Sequence, residues 1–191
     1  MKLEQLGNHI EITSGQIMTR ITAKDGEGIG TYKVVIPKAI TSEGFISIED
    51  MPEEVLKVEP SKDRITAVND IVIKLSTPFD SAIVTEETAG CVVPSFCAVI
   101  RSKGTLDLDY LRAFLTSKLC KEQLKAKVTG AVMSILSIGK IQTVEIPVPD
   151  DAKQKEIGER YREAQDKLLI MKQIIALETK RNDIVFQELS K

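Results

Sequence analysis

Catalysis by side chains needs a nucleophile beside a base, a convergent set of metal ligands, or a loop that cradles phosphate, and each leaves a spacing in the sequence. The one histidine, His9, lies in a polar stretch near the start with no partner in sight, so a surface or capping role is expected of it. Gly26, Gly28 and Gly30 are not spaced as GxGxxG and no strand immediately precedes them. Asp25 and Glu27 between them would repel a phosphate, so the segment reads as a flexible turn. Asp150, Asp151 and Lys153, after Pro149, have the residue types of a metal-dependent nuclease. Such a site needs carboxylates converging on Mg²⁺ from a sheet, whereas these crowd into one helix start, where capping is the expected role. Cys91, Cys97 and Cys120 are odd in number and lack CxxC pairing, so they are expected reduced and packed. No catalytic residue, metal or cofactor is expected.

What remains are basic and small polar residues beside turns and at strand ends: Arg20, Lys24, Lys33, Lys38, Lys62, Arg64, Lys74, Arg101 and Lys103, with Ser76 and Thr77. If they share a face they form a positive patch; if not, each is one more solvated surface charge. Both readings stay open here. The chain as a whole has 26 Lys and Arg against 28 Asp and Glu, a formal net charge of -2, so bulk positive charge is not available to coat nucleic acid.

The elements that must position these residues fall into two kinds. Thr31 to Pro37, Asp63 to Ser76, Ser81 to Glu86 and Cys91 to Ser102 are rich in β-branched residues and separated by Gly, Pro, Asn and Asp clusters, so they read as strands. Asn69 suits a left-handed position in the turn before Ile71. From Asp107, Leu108, Leu111, Leu115, Leu119 and Leu124 recur at helical spacing, with Gly130 as a stop. A short helical turn and the strand-like TVEIPVP follow, with Pro147 and Pro149 unsuited to a central strand. The expected class is α+β, with a twisted, partly closed sheet and packed helices over residues 1–149.

Residues 150–191 form the second kind, one long helix opened by Asp150 or Asp151 as a cap. Ile157, Tyr161, Ala164, Leu168, Met171, Ile175, Val185 and Leu189 follow a heptad seam, interrupted at Glu178 and Asn182. Ile170, Ile174, Leu177 and Ile184 add a second apolar line. At 1.5 Å per residue such a helix reaches roughly 55 Å, more than its own small domain covers, so a partner helix is expected. With 42% hydrophobic and 28% charged residues in 191, the chain is expected to fold around one core. No basic-then-apolar leader and no run near the ~18 apolar residues of a membrane span is present, which reads as a cytosolic protein.

The segment from Gly130 to Tyr161 resembles the stretch that closes a target recognition domain in type I restriction-modification specificity (S) subunits. Gly130, Leu136, Ser137, Ile141, Ile146, Pro147, Pro149, Gln154 and Ile157 match the family's order of Gly, Leu-Ser, helical turn, Ile-Pro-x-Pro strand and Gln-then-Ile helix opening. Upstream, the segment from Asn69 to Ser102 is similar to the family's Gly-Asp-Ile strand and its successors, with Asn69 replacing the usual Gly. The likeness runs from about Ile65 onward, more loosely from Ser14. It implies a domain that presents loops to the DNA major groove and a spacer helix that pairs antiparallel with another. It further implies double-stranded DNA, modification (M) methyltransferase subunits and restriction (R) subunits as partners, with the chemistry in those subunits. Family members carry two domains and two helices; this chain has one of each, so a half-length form pairing as a homodimer on a bipartite site is expected. The alternatives left open are a non-DNA interaction module assembling through its helix and, less favoured, a self-sufficient nuclease.

Overall fold

Ile71-Val72-Ile73 and Ala98-Val99-Ile100 are apolar at every position, which a strand tolerates only when both of its faces are covered. The computed structural model, which describes residues 2–23, 27–128 and 135–189, places both runs at the centre of the domain. Its strands are β1 (Lys2–Gln5), β2 (Ile10–Ser14), β3 (Gly30–Lys33), β4 (Glu53–Leu56), β5 (Ile71–Lys74), β6 (Ser81–Ile83), β7 (Cys97–Ser102) and β8 (Glu145–Val148). Its α-helices are α1 (Met18–Ile21), α2 (Leu108–Thr116), α3 (Lys118–Lys127), α4 (Ile138–Gln142) and α5 (Asp151–Leu189).

The main sheet has the order β2-β7-β5-β6, antiparallel throughout, and two-stranded sheets β1-β8 and β3-β4 flank it. Side chains alternate between two cores. Ile71, Ile73, Ala98 and Ile100 join Leu111, Leu115, Cys120 and Leu124 of α2 and α3. Val72, Cys97 and Val99 point the other way, onto Val35, Ala39, Ile40 and Met51 of the long connection between β3 and β4. The architecture is the expected α+β fold with an open sheet and a long final helix. Cys91, Cys97 and Cys120 are free and buried, and burial pushes the Cys97 and Cys120 thiols up to about 12, far from a reactive thiolate.

Several local expectations change, and the strands expected over 31–37, 81–86 and 91–102 shorten to Gly30–Lys33, Ser81–Ile83 and Cys97–Ser102. The strand expected over 63–76 starts only at Ile71, because Lys62–Arg64 is a 3₁₀ turn and the Asp70 carboxylate accepts the Ala67 N–H at 2.9 Å, closing a turn with Asn69 at φ 73°. The helix expected without a break from Asp107 is two helices. Ser117 turns to an extended backbone, donates its hydroxyl to the Phe114 carbonyl and accepts the Cys120 N–H as the cap of α3. The break shifts the phase, so Leu119 is half exposed while Cys120 and Leu124 are buried. His9, expected at the surface, is buried, with Nδ1 2.7 Å from Thr105 Oγ1 and Nε2 3.1 Å from a Glu4 carboxylate oxygen. Gly130 lies outside the described residues.

At the start of α5, Asp150 accepts the Lys153 N–H at 2.9 Å, the capping role expected there. The first turns of α5 lie on α2. Gln154 is buried and bridges, accepting the Asp107 N–H and donating to the Pro149 carbonyl, both at 3.0 Å. Gly158 permits the close approach, since a Cβ there would sit 2.5 Å from an Asp107 carboxylate oxygen.

Candidate nucleic-acid interface

The basic residues read from the sequence divide by what the fold gives them as partners. Lys74 is mostly buried, and its ammonium lies 2.9 Å from Asp80, which also holds Lys121 at 2.7 Å. Burial alone would push the Asp80 carboxyl up; the two lysines more than offset it, and it stays below the ordinary carboxylate value. Arg101 donates to Asp70 from Nε and Nη2, both at 3.1 Å, and to the carbonyls of Ile65 and Asp63. Lys103 donates to the Gly7 carbonyl at 2.9 Å, and Lys38, although exposed, lies 2.5 Å from Asp50. Each of these four has a partner within the chain. Lys62, Ser76 and Thr77 are exposed, and Lys24 lies outside the described residues.

Arg20 and Arg64 do come together. They line one groove of about 410 Å³ with Ser14, Gln16, Ser95 and Ser137, and no carboxylate is among its described lining residues. Gly15 builds one wall: its N–H meets the Cys97 carbonyl at 2.9 Å, and a Cβ would fall 2.1 Å from the Pro94 oxygen. The neighbouring Gln16 and Ser95 exchange backbone bonds with this wall, Gln16 N to Val93 O at 2.7 Å and Ser95 N to Gln16 O at 2.8 Å. The opposite wall is pinned by Leu136 N to Leu75 O at 2.7 Å. Arg20 is exposed at the end of α1. Arg64 is half buried; its Nη1 donates to Gln16 Oε1 at 3.0 Å while its Nε is buried without a hydrogen-bond partner. Sequence reasoning picked out both arginines but missed Ser14, Gln16, Ser95 and Ser137. Gln16 and Arg64 are 48 positions apart, and no local pattern links them.

The seam on α5 also divides. Ile157 packs against the domain's own core, and Arg112 lies 5.5 Å over the Tyr161 ring, so both make contacts within the chain. Ala164 is exposed, and Leu168, Met171, Ile175 and Val185 are 38%, 60%, 66% and 46% exposed. The Leu189 side chain lies outside the described residues. Ile170, Ile174, Leu177 and Ile184 are exposed as well. Residues 166–187 are all exposed, a stretch of roughly 33 Å within the ~55 Å of the whole helix, and Lys172 in it meets Glu43 of the domain at 2.8 Å. Among the described residues, no cluster of His, Cys, Asp or Glu is arranged to hold a metal, and no helix is long and apolar enough to cross a membrane.

Together these features define a class: an α+β domain with a groove that holds two arginines, carried on a long helix whose outer half is exposed and bears an apolar seam. Residues 44–179 match the family described as the type I restriction modification DNA specificity domain, and the chain belongs to that family. No curated protein matches it. Among solved structures it is similar to the HsdS subunit from Thermoanaerobacter tengcongensis at 16% identity and a TM-score of 0.63, covering 96% of this chain and 47% of that one. It is also similar to the type I restriction-modification S subunit from M. genitalium, at 14% identity and a TM-score of 0.62, covering 94% and 42%. The type IIG restriction endonuclease BpuSI is similar at 11% identity and a TM-score of 0.57, covering 84% of this chain and 26% of that one. The chain thus spans less than half the length of these structures. At such identities the likeness is one of fold.

Proposed function

We propose that this chain recognises DNA sequence for a type I restriction-modification enzyme and leaves methyl transfer and cleavage to partner modification and restriction subunits in the cytoplasm. The observation that carries this is membership of the DNA specificity family over residues 44–179. The groove of Arg20 and Arg64 supports it, because it concentrates positive charge on a chain that is acidic overall. The exposed outer half of α5 supports the second part of the proposal. Two copies pair through it, so that two domains read the two halves of an interrupted site. The M subunits dock on the same helices and complete the grip on DNA. Double-stranded DNA, the M and R subunits and a second copy of this chain are therefore the proposed partners.

The test is footprinting of the chain bound to its M subunit on a library of duplexes. Protection of one bipartite sequence is the expected outcome. A complex that forms but discriminates among no duplexes would favour the protein-interaction module, and metal-dependent cleavage by the chain alone would favour a nuclease.

A further inference from the structure

A DNA duplex presents two different surfaces to a protein. Base edges are recessed in the grooves and are met by elements that protrude; phosphates stand out as ridges and are met by concave ones. The Arg20 and Arg64 site is concave. Arg64 is built into its wall, held by the Gln16 side-chain oxygen at 3.0 Å, so it offers fixed positive charge rather than a long arm reaching for a base. Among the described residues no carboxylate pairs with it, so its charge is not neutralised within the chain. Arg20 adds a second guanidinium that has no carboxylate partner among the described residues. Ser14, Ser95 and Ser137 place short hydroxyl-bearing side chains along the same walls. Ile17, Leu75, Ile135, Leu136 and Ile138 complete the walls as an apolar frame, and within it two cations and small donors, with no acid among the described lining residues, make a seat for an anionic group carrying several acceptor oxygens.

We propose that this groove seats a phosphodiester of the DNA backbone and acts as a sequence-independent anchor that sets the domain's register while residues elsewhere read bases. The proposal rests on the DNA-reading function above and deepens it. Because the lining is pinned by backbone bonds from Gly15, Gln16, Ser95 and Leu136, the anchor is formed before DNA arrives.

The experiment measures binding of the chain with its M subunit to two duplexes across a salt series, one of random sequence and one enriched by selection. Arg20→Gln, on an exposed residue, and Arg64→Gln, checked for folding by its thermal midpoint, are compared with wild type. Each variant is expected to weaken both duplexes by a similar factor and to lower the slope of log affinity against log salt by about 1. A neutral methylphosphonate at one backbone position is expected to weaken wild type and to weaken Arg20→Gln no further. Loss confined to the selected duplex would mean that the arginines read bases and would overturn the anchor while leaving DNA recognition intact. Unchanged affinity and slope in Arg20→Gln would overturn it equally. Wild type binding neither duplex would overturn the functional reading and the anchor together, an outcome distinct from the others.

Discussion

Asp80 carries two lysines at once, and its burial decides what they are for. Its carboxylate is almost fully enclosed, with Lys74 from β5 at 2.9 Å and Lys121 from α3 at 2.7 Å, so the triad ties the sheet to the helical layer. Removing the shared partner leaves two poorly solvated ammonium groups facing each other. Asp80→Ala is expected to cost about 3 kcal/mol, at the lower end for a broken buried pair because both lysines keep some solvent. A urea melt reads this directly, and a loss below about 1 kcal/mol would mean that the lysines find water. Lys74 shows why residue type alone misleads. A lysine at a strand end is legible in sequence, but the carboxylate that claims it is set by the loop before β6, and the second lysine lies 41 positions further on. The same holds for Arg101, whose partner Asp70 is 31 positions away. Arg20 and Arg64 were legible as candidates for the same reason that Lys74 and Arg101 were, and nothing local in the sequence separates the pairs.

At the scale of elements, two of the contacts that fasten α5 to the domain differ in chemistry. Glu43, in the connection between β3 and β4, meets Lys172 at 2.8 Å, and that hydrogen bond, with one from Ser42, holds the Glu43 carboxyl down to about 2 against an ordinary 4.5. A depressed folded-state pKa means that the stabilisation is fully present above pH 4.5 and is lost as pH falls through about 2. The thermal midpoint of wild type is therefore expected to exceed that of Glu43→Gln at pH 6, with the gap closing between pH 4.5 and pH 2; a gap independent of pH would rule out the ion pair as its source. The second contact is steric. Gly158 lies where a side chain would strike the Asp107 carboxylate and the Tyr110 nitrogen, the cap of α2. Gly158→Val is expected to cost about 2 kcal/mol through overpacking, lowering the midpoint by roughly 4–8 °C in a domain of this size while helical content by circular dichroism is kept. Elements whose burial repeats with a period, such as α2, the buried strands and α5, were legible in sequence. β1 was not, because Lys-Leu-Glu-Gln has no apolar pattern and exists only through its pairing with β8, where Leu3 faces Pro147. The break at Ser117 was hidden for a related reason: a serine within a helical pattern looks tolerable until its hydroxyl is seen capping the next turn.

The whole molecule is asymmetric in how it satisfies its apolar surface. The domain buries both faces of its sheet, and α5 is used through about Gln165 by its own domain. Beyond that point Lys172 still meets Glu43, while Leu168, Met171, Ile175 and Val185 continue the seam as exposed residues, and Ile170, Ile174 and Leu177 widen the exposed apolar surface. A helix in water leaves such a surface uncovered only at a substantial solvation cost, which the proposed pairing of two copies would relieve. The heptad was legible in sequence, but the point at which it passes from internal docking to outward projection was not, since Ile157 and Tyr161 obey the same spacing as Leu168 and Ile175. That division makes pairing separable from folding. In Leu168→Asp plus Ile175→Asp, the altered residues touch neither core, so the thermal midpoint of the domain measured on dilute protein is expected to hold. Pairing, by contrast, loses the burial of four side chains across two copies; with Leu168 38% and Ile175 66% exposed beforehand this amounts to about two full burials, about 3–6 kcal/mol or a factor of about 10²–10⁴ in affinity. Sedimentation velocity is expected to give a dimer for wild type and a monomer for the double variant at micromolar concentration. A variant that still sediments as a dimer would remove the helix from the pairing interface, and with it the proposed spacing of the two half-sites.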